Sequence, residues 1–479
     1  MSRTNIISIV IDDLGARDLT CTGSTFYETP CIDRFARQGL LCEAAYASAP
    51  VCSPTRASLM TGRCPARVGI TNYIGGHRRG PMLEAPYLHW LPLTERSIAS
   101  ELAAAGYQTW HVGKWHLGDE AFGPSAHGFQ VNIGGCHLGH PHRGYVAPWG
   151  IPGLEDAAEG TWLTEHLTDR AIALLRDRDP ARPFLLNLWH YAVHTPIQAP
   201  PALVEKYRRK AAALGLDRHD AFVDGGPMTV LPQRAGQQMD RIRRRVVQSD
   251  PVYAAMMEHL DSNIGRLLEA VRAAGLEDNT LVVFTSDNGG LSTAEGAPTC
   301  NAPLAEGKGW DREGGVRVCQ AVRWPGRIPA GSRSDAPTWS CDLFPTMLAA
   351  AGLPLRPALH RDGIDMLPHW RGGPAERGRA LCWHFPHYGN QGGMPASWIV
   401  QDGWKLVHRY GRSADELFAL AADPSEACDV AGQEPHHLAA LRSGLDAWLV
   451  DVHAHRPVAD PDFERLKALV PAVADNACE

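Results

Sequence analysis

The chain has 479 residues, of which 44% are hydrophobic and 21% charged, with a formal net charge of -7. That length suits one large domain plus a smaller one, and the composition is that of a globular protein with material for a sizeable core. The acidic balance speaks against a nucleic-acid partner, since such proteins carry a basic surplus, but leaves room for a small anionic substrate in a locally basic pocket.

No stretch is long and apolar enough to cross a membrane, so no membrane partner is expected. The apolar run over 6–11 is too short for a secretory leader, and with Met1 as the start a cytoplasmic protein is expected. The 12 cysteines are scattered without a Cys-x-x-Cys pair. This fits small buried side chains in a reducing compartment and argues against structural zinc.

Taken in chain order, residues 6–11 read as a strand buried on both faces, and 32–40 as a helix ending near Gly39. Cys52-Ser53-Pro54-Thr55-Arg56 opens a second helix, because proline suits the first turn. A helix over 95–105 stopped by Gly106, a strand over 107–112, a helix over 164–176 and a strand over 184–189 follow. Residues 200–245 turn polar, basic and irregular, and read as an insertion or lid. A long helix over 251–274 capped by Gly275 leads to a strand over 280–285. The alternation predicts an α/β fold, a large and mostly parallel sheet sandwiched by helices. A Gly/Pro-rich stretch over 352–374 marks a boundary. Strands over 380–384, 397–401 and 405–410 with a helix over 435–451 predict a smaller C-terminal unit of antiparallel sheet plus helix. The expected division is 1–370 and 371–479.

Polar residues cluster at the expected strand ends, where open parallel sheets bind ligands. Asp12-Asp13 follow the first strand and Asp287-Asn288 the strand over 280–285. Two such oxygen pairs suit Ca²⁺ or Mg²⁺, although each alone also reads as a turn or helix cap. Lys114 and His116 alternate after the strand over 107–112, so on extended chain they face one side. His194 lies past the strand over 184–189, and glycines bracket Lys308. Cys52 is placed at a helix N-terminus, where free N–H groups favour an anion and lower a thiol pKa, with Arg56 one turn on. A buried structural cysteine is the plainer alternative. Together these residues would make a pocket for a small tetrahedral oxyanion ester.

These motifs resemble the type I sulfatase family of the alkaline phosphatase superfamily, over nearly the whole chain. The resemblance rests on Cys52-x-Pro54-x-Arg56 with the trailing Leu59-x-Thr61-Gly62-Arg63, on Gly113-Lys114-Trp115-His116-Leu117-Gly118, and on Gly307-Lys308-Gly309 leading to Glu313-Gly314-Gly315-Val316-Arg317. It implies hydrolysis of a sulfate ester. A formylglycine-generating maturation enzyme would oxidise Cys52 to formylglycine, whose hydrated aldehyde is the nucleophile. It further implies that Asp12, Asp13, Asp287 and Asn288 bind Ca²⁺. Arg56 and Lys114 would hold the diol, His116 would assist sulfate elimination, and His194 with Lys308 would bind sulfate and protonate the leaving oxygen. Ala305-Glu306 depart from the family pattern just before Lys308. Segments 70–73, 134–137 and 383–393 resemble members that act on sulfated sugars. Galactose or N-acetylgalactosamine sulfates are therefore favoured as the saccharide partner, with His137 and His140, beside His142 and Arg143, as candidate sugar contacts. A phosphate or phosphonate monoester hydrolase on the same fold, or a binding protein that keeps Cys52 as a thiol, are the competing readings.

Overall fold

The computed structural model describes residues 3–232 and 239–470. Its centre is a nine-stranded sheet. In chain order the strands are β1 (Asn5–Ile11), β2 (Leu40–Tyr46), β3 (Gln108–Gly113), β4 (Val131–Ile133) and β5 (Phe184–Trp189). A separate hairpin, β6 (Phe222–Pro227) and β7 (Arg241–Arg245), precedes β8 (Thr280–Ser286), β9 (Arg317–Arg323), β10 (Ser332–Ser334) and β11 (Thr338–Trp339). The spatial order is β10-β2-β9-β8-β1-β5-β3-β4, with β11 also on β2. Every pairing is parallel except those of β9, which runs against both β2 and β8.

β1, β5 and β8 are buried along their whole length, as expected for strands covered on both faces. The helices divide between those faces. α1 (Pro30–Arg37), α4 (Leu163–Asp177), α5 (Pro201–Ala213) and α6 (Pro251–Ala273) share one core with Ile7, Ile9, Leu186 and Leu188. α2 (Cys52–Thr61), α3 (Ile98–Ala104) and α7 (Leu343–Ala350) share the other with Ile6, Val10 and Leu185. This split follows from the two-residue period of a strand.

Two expectations are corrected here. The first helix stops at Arg37, and Leu40 opens a strand instead of closing the helix; pairing with β9 overrides an alanine-rich sequence of modest strand propensity. The segment after residue 200 is not irregular at its start. α5 is a regular helix whose Val204, Tyr207 and Ala211 are buried in the α6 core. The β6–β7 hairpin then lies on the loop after β8, with Arg245 N donating to Ser292 O at 2.8 Å. Residues 233–238 of the expected lid lie outside the described residues. Among the described residues no helix is long and apolar enough to cross a membrane.

Near the C-terminus, β12 (Leu381–Phe385), β13 (Ala396–Gln401), β14 (Trp404–Arg409) and β15 (Glu416–Ala419) form an antiparallel sheet in that order. α8 (Pro435–Asp451) covers one face through Leu441, Leu445 and Leu449. The other face packs Trp383 and Trp398 against Tyr46, Val51 and Trp339 of the central sheet region. A buried ion-pair knot also joins the two. Lys405 Nζ lies 3.0 Å from Glu313 Oε1 and 2.9 Å from Glu426 Oε1, with all three side chains fully buried.

Candidate active site

Strand register brings the site together. Gly113 pairs with Trp189, Trp189 with Val10, and Ile11 with Ser286. Lys114, Asp12 and Asp287 are each the next residue along, so they leave the sheet at one edge. His194 follows on the loop after β5, and Lys308 N is anchored to Gly290 O at 3.0 Å on the loop after β8.

Cys52 is the first residue of α2, after an extended Val51. All ten residues of α2 are buried, which small side chains such as Ser53, Ala57 and Ser58 permit. The helix ends at Gly62 with φ +66°, where a side chain would strike His360. Ser53 Oγ ties α2 to the neighbouring loops by donating to His116 O (2.9 Å) and accepting from Ile74 N (3.1 Å).

The three carboxylates share one pattern. Asp12 Oδ2 binds Lys114 Nζ at 2.6 Å, Asp13 Oδ2 binds Lys308 Nζ at 2.8 Å, and Asp287 Oδ2 accepts from Arg56 Nε at 2.8 Å. Each thus gives one oxygen to a cationic side chain, and Arg56 Nη2 also forms an ion pair with Asp12 Oδ1 at 3.6 Å, beyond hydrogen-bond distance. Of the remaining oxygens, Asp13 Oδ1 accepts from Asn288 Nδ2 (2.9 Å) and Asp287 Oδ1 from Asp13 N (3.2 Å). Asp12 Oδ1 and Asn288 Oδ1 are buried without a hydrogen-bond partner. One ligand oxygen from each of Asp12, Asp13 and Asp287 lies within 4.8 Å of the others. An all-oxygen set with two orphaned buried acceptors fits a hard divalent cation.

Charge follows from the same pairs. Burial holds the Asp12 carboxyl well above its ordinary range. Burial also acts on Asp13 and Asp287, but the charges of Lys308 and of Arg56, respectively the strongest opposing each, pull both below the ordinary value. Three carboxylates face three fixed cations, so a divalent cation would leave the site electropositive, as an anionic ester requires.

The two histidines are neutral bases with assigned hydrogens. His116 Nε2 faces Ile74 O at 3.2 Å, so Nδ1 is left to accept from the Cys52 thiol at 3.3 Å. His194 Nδ1 faces Thr195 O at 3.0 Å, so Nε2 accepts from Lys308 Nζ at 2.9 Å. Burial and then Lys308 push His194 down to about 4; burial and then Lys114 hold His116 well below the usual imidazole range. The expected depression of the Cys52 thiol pKa is reversed. Burial raises it, and Lys114 and Lys308 do not overcome that. A thiol at this helix N-terminus is therefore not a ready thiolate.

Lys114 and His116 do meet at the site, but not by strand alternation: β3 ends at Gly113, and His116 has φ +55°. His140 stacks on His194 with ring centroids 5.5 Å apart and 6° between planes, and His142 packs on His140 at 4.0 Å. A side chain at Gly139 would strike the His116 ring, so this loop lies directly over it. His137 is exposed, and among the described residues it has no hydrogen bond or ring contact with the site. Glu306, the departure noted in the sequence, forms a two-pronged pair with Arg244 of β7, through Nε at 2.7 Å and through Nη2. Sequence reasoning missed Glu295 beside Thr195. Its surroundings, Ala294-Glu295-Gly296, carry only a turn signal.

Residues 4–353 match the family model described as Sulfatase, and residues 307–454 that described as N-sulphoglucosamine sulphohydrolase, C-terminal. The chain belongs to the sulfatase family. This sulfatase-family chain is 31% identical over 393 residues to the N-acetylgalactosamine-6-sulfatase of Canis lupus familiaris, covering 77% of its own length and 66% of the relative's. It thus spans just under two thirds of that relative. It is 33% identical over 482 residues to human arylsulfatase A, covering 91% of this chain and 86% of the relative. Among solved structures, that of Ps i-CgsB in complex with k-i-k-neocarrahexaose superposes with a TM-score of 0.74 at 27% identity, covering 97% and 98% of the two chains.

Proposed function

We propose that this chain is a sulfuric ester hydrolase acting on a sulfated carbohydrate, with galactose or N-acetylgalactosamine sulfate favoured. The observation that carries the reading is the convergence of Arg56, Lys114 and Lys308 with three buried carboxylates around Cys52. Membership of the sulfatase family supports the ester class. The relative named N-acetylgalactosamine-6-sulfatase and the k-i-k-neocarrahexaose complex of a similar chain support the sugar.

In this reading Asp12, Asp13, Asp287 and Asn288 hold Ca²⁺, or Mg²⁺ in its place, and Cys52 is converted to formylglycine by a maturation enzyme. The cation would supply positive charge for the sulfate oxygens, and the hydrated aldehyde a hydroxyl nucleophile. The chain's own residues do the rest. Arg56 and Lys114 stand behind position 52 and offset negative charge there. His116 Nδ1, already an acceptor toward position 52 at 3.3 Å, is the base for a proton from that group. Lys308 carries its proton 2.9 Å from His194 Nε2, and this pair supplies a proton to the departing sugar oxygen. The neutral His194 lets Lys308 donate without adding a second buried charge.

Parallel assays with aryl sulfate, phosphate and phosphonate esters, together with a panel of defined sulfated monosaccharides, test the proposal. Faster release from the sulfate ester than from either phosphorus ester is the expected result. Preference for a phosphorus ester overturns it.

A further inference from the structure

Glu295 is a carboxylate on the solvent-exposed rim of a pocket that must attract an anion. Several features show that its place there is imposed. Its backbone is left-handed, and Glu295, Gly296 and Ala297 have successive φ values of +53°, +89° and +40°. Such runs are unfavourable for residues with side chains and persist where the surroundings over-determine them. Three donors from two other parts of the chain fix the carboxylate. Asn390 Nδ2 lies 2.6 Å and Gln391 Nε2 3.2 Å from Oε1, and Thr195 Oγ1 lies 3.2 Å from Oε2. Gln391 is itself buried against Gly309, the neighbour of Lys308. The Glu295 charge is felt by Lys308, His194, His140 and Tyr73, so it borders the side of the pocket that holds the leaving-oxygen pair.

A fixed negative charge at this rim opposes binding of any anion, the sulfate ester included, unless another part of the substrate compensates. A carboxylate with both oxygens held in place still has lone pairs for further donors, and it accepts hydrogen bonds only. Its natural counterpart is a hydroxyl or amide N–H on the ring that bears the ester. A second sulfate or a carboxylate at that position would face like charge.

We propose that Glu295 is a specificity residue that accepts a hydrogen bond from a hydroxyl or N–H of the sugar ring beside the scissile sulfate and rejects rings with a second anionic group there. This inference rests on the sulfate-ester reading and names the neighbouring group that reading left open. Thr195, Asn390 and Gln391 are positioning residues for it.

The test compares wild type, Glu295→Gln and Asn390→Ala on 4-nitrophenyl sulfate, on monosulfated monosaccharides, and on the disulfated counterparts of the best of these. Melting temperatures confirm that each variant is folded. Hydrogen bonds to a charged group are strong enough that Glu295→Gln should lower kcat/KM on the sugar about 10–100-fold more than on the aryl ester, chiefly through KM. The rate on the disulfated relative to the monosulfated sugar should rise. Asn390→Ala should move both ratios the same way by less. Equal losses on sugar and aryl ester overturn the proposal, as does an unchanged preference between mono- and disulfated rings. Wild-type turnover of aryl sulfate with no turnover of any sugar sulfate also overturns it, while leaving the sulfatase reading standing. Failure on both ester types removes the sulfatase reading itself.

Discussion

Arg56 grips Asp287 with two nitrogens, Nε at 2.8 Å and Nη2 at 2.7 Å from the same Oδ2, and both side chains are fully buried. The guanidinium also reaches Lys114 O through Nη1 at 3.0 Å and lies over the Trp189 ring at 5.3 Å. A planar, permanently charged fork is suited to such a place and an ammonium is not. Removing one member of a buried pair leaves the other charge uncompensated. Arg56→Ala should therefore destabilise the fold by about 3–5 kcal/mol in denaturant unfolding, as for other broken buried pairs, and abolish sulfate release. Arg56→Lys should recover part of the stability and little of the activity. Full activity in Arg56→Lys would contradict the role of the fork.

Calcium binding is tested on stability as well as on turnover. A ligand that binds only the folded state stabilises it by about 2.7 kcal/mol at 100 times its Kd. Chelation should lower the melting temperature of wild type and added Ca²⁺ should restore it. Asn288→Ala removes one buried orphan oxygen and should need more Ca²⁺ for the same shift. An identical calcium response in both proteins would exclude Asn288 as a ligand.

The site was more legible in the sequence than the sheet was. Asp12-Asp13, Gly113-Lys114 and Asp287-Asn288 could be placed because each follows a strand whose hydrophobic run marks its end. Five of the nine central strands, β2, β4, β9, β10 and β11, carry no clear strand signal in the sequence, and two of them show why. β2 reads Leu-Leu-Cys-Glu-Ala-Ala-Tyr, and β9 has arginine at both ends; their strand character comes from pairing with each other rather than from local pattern. Glu295 was invisible because its partners Thr195, Asn390 and Gln391 are distant in the chain and only the fold joins them. The upward shift of the Cys52 thiol pKa is hidden from the sequence for a related reason. The helix start was visible, but its burial on every side depends on loops that sequence spacing does not reveal.

The Lys405 knot gives a prediction independent of catalysis. Burial alone would raise the Glu313 carboxyl, yet Lys405 and Arg317 hold it below its ordinary value. Lys405→Met keeps the stem and deletes the charge that Glu313 and Glu426 share. It should cost about 3–5 kcal/mol in denaturant unfolding. A change below about 1 kcal/mol, the scale of an exposed pair, would show that the knot is solvated.

Acid sensitivity follows from the buried histidines. His190 is fully buried with both ring nitrogens unpartnered, and burial lowers it to about 3. Its ordinary value is 6.5, so the unfolded chain takes up a proton first as pH falls. The stability present above pH 6.5 is lost progressively toward pH 3, by about 1.4 kcal/mol per unit for this group. Unfolding free energies measured between about pH 7.5 and pH 5 should fall less steeply in His190→Phe than in wild type. Parallel curves would show that His190 does not contribute.

The most direct test of the account is the mass of the peptide containing Cys52, measured on a preparation that releases sulfate. Conversion of the thiol to an aldehyde predicts a loss of about 18 Da, outside the sulfur oxidation ladder, in a fraction that tracks specific activity, and Cys52→Ala should be inactive with its fold intact. Sulfate release by protein whose Cys52 is entirely unmodified would contradict the account.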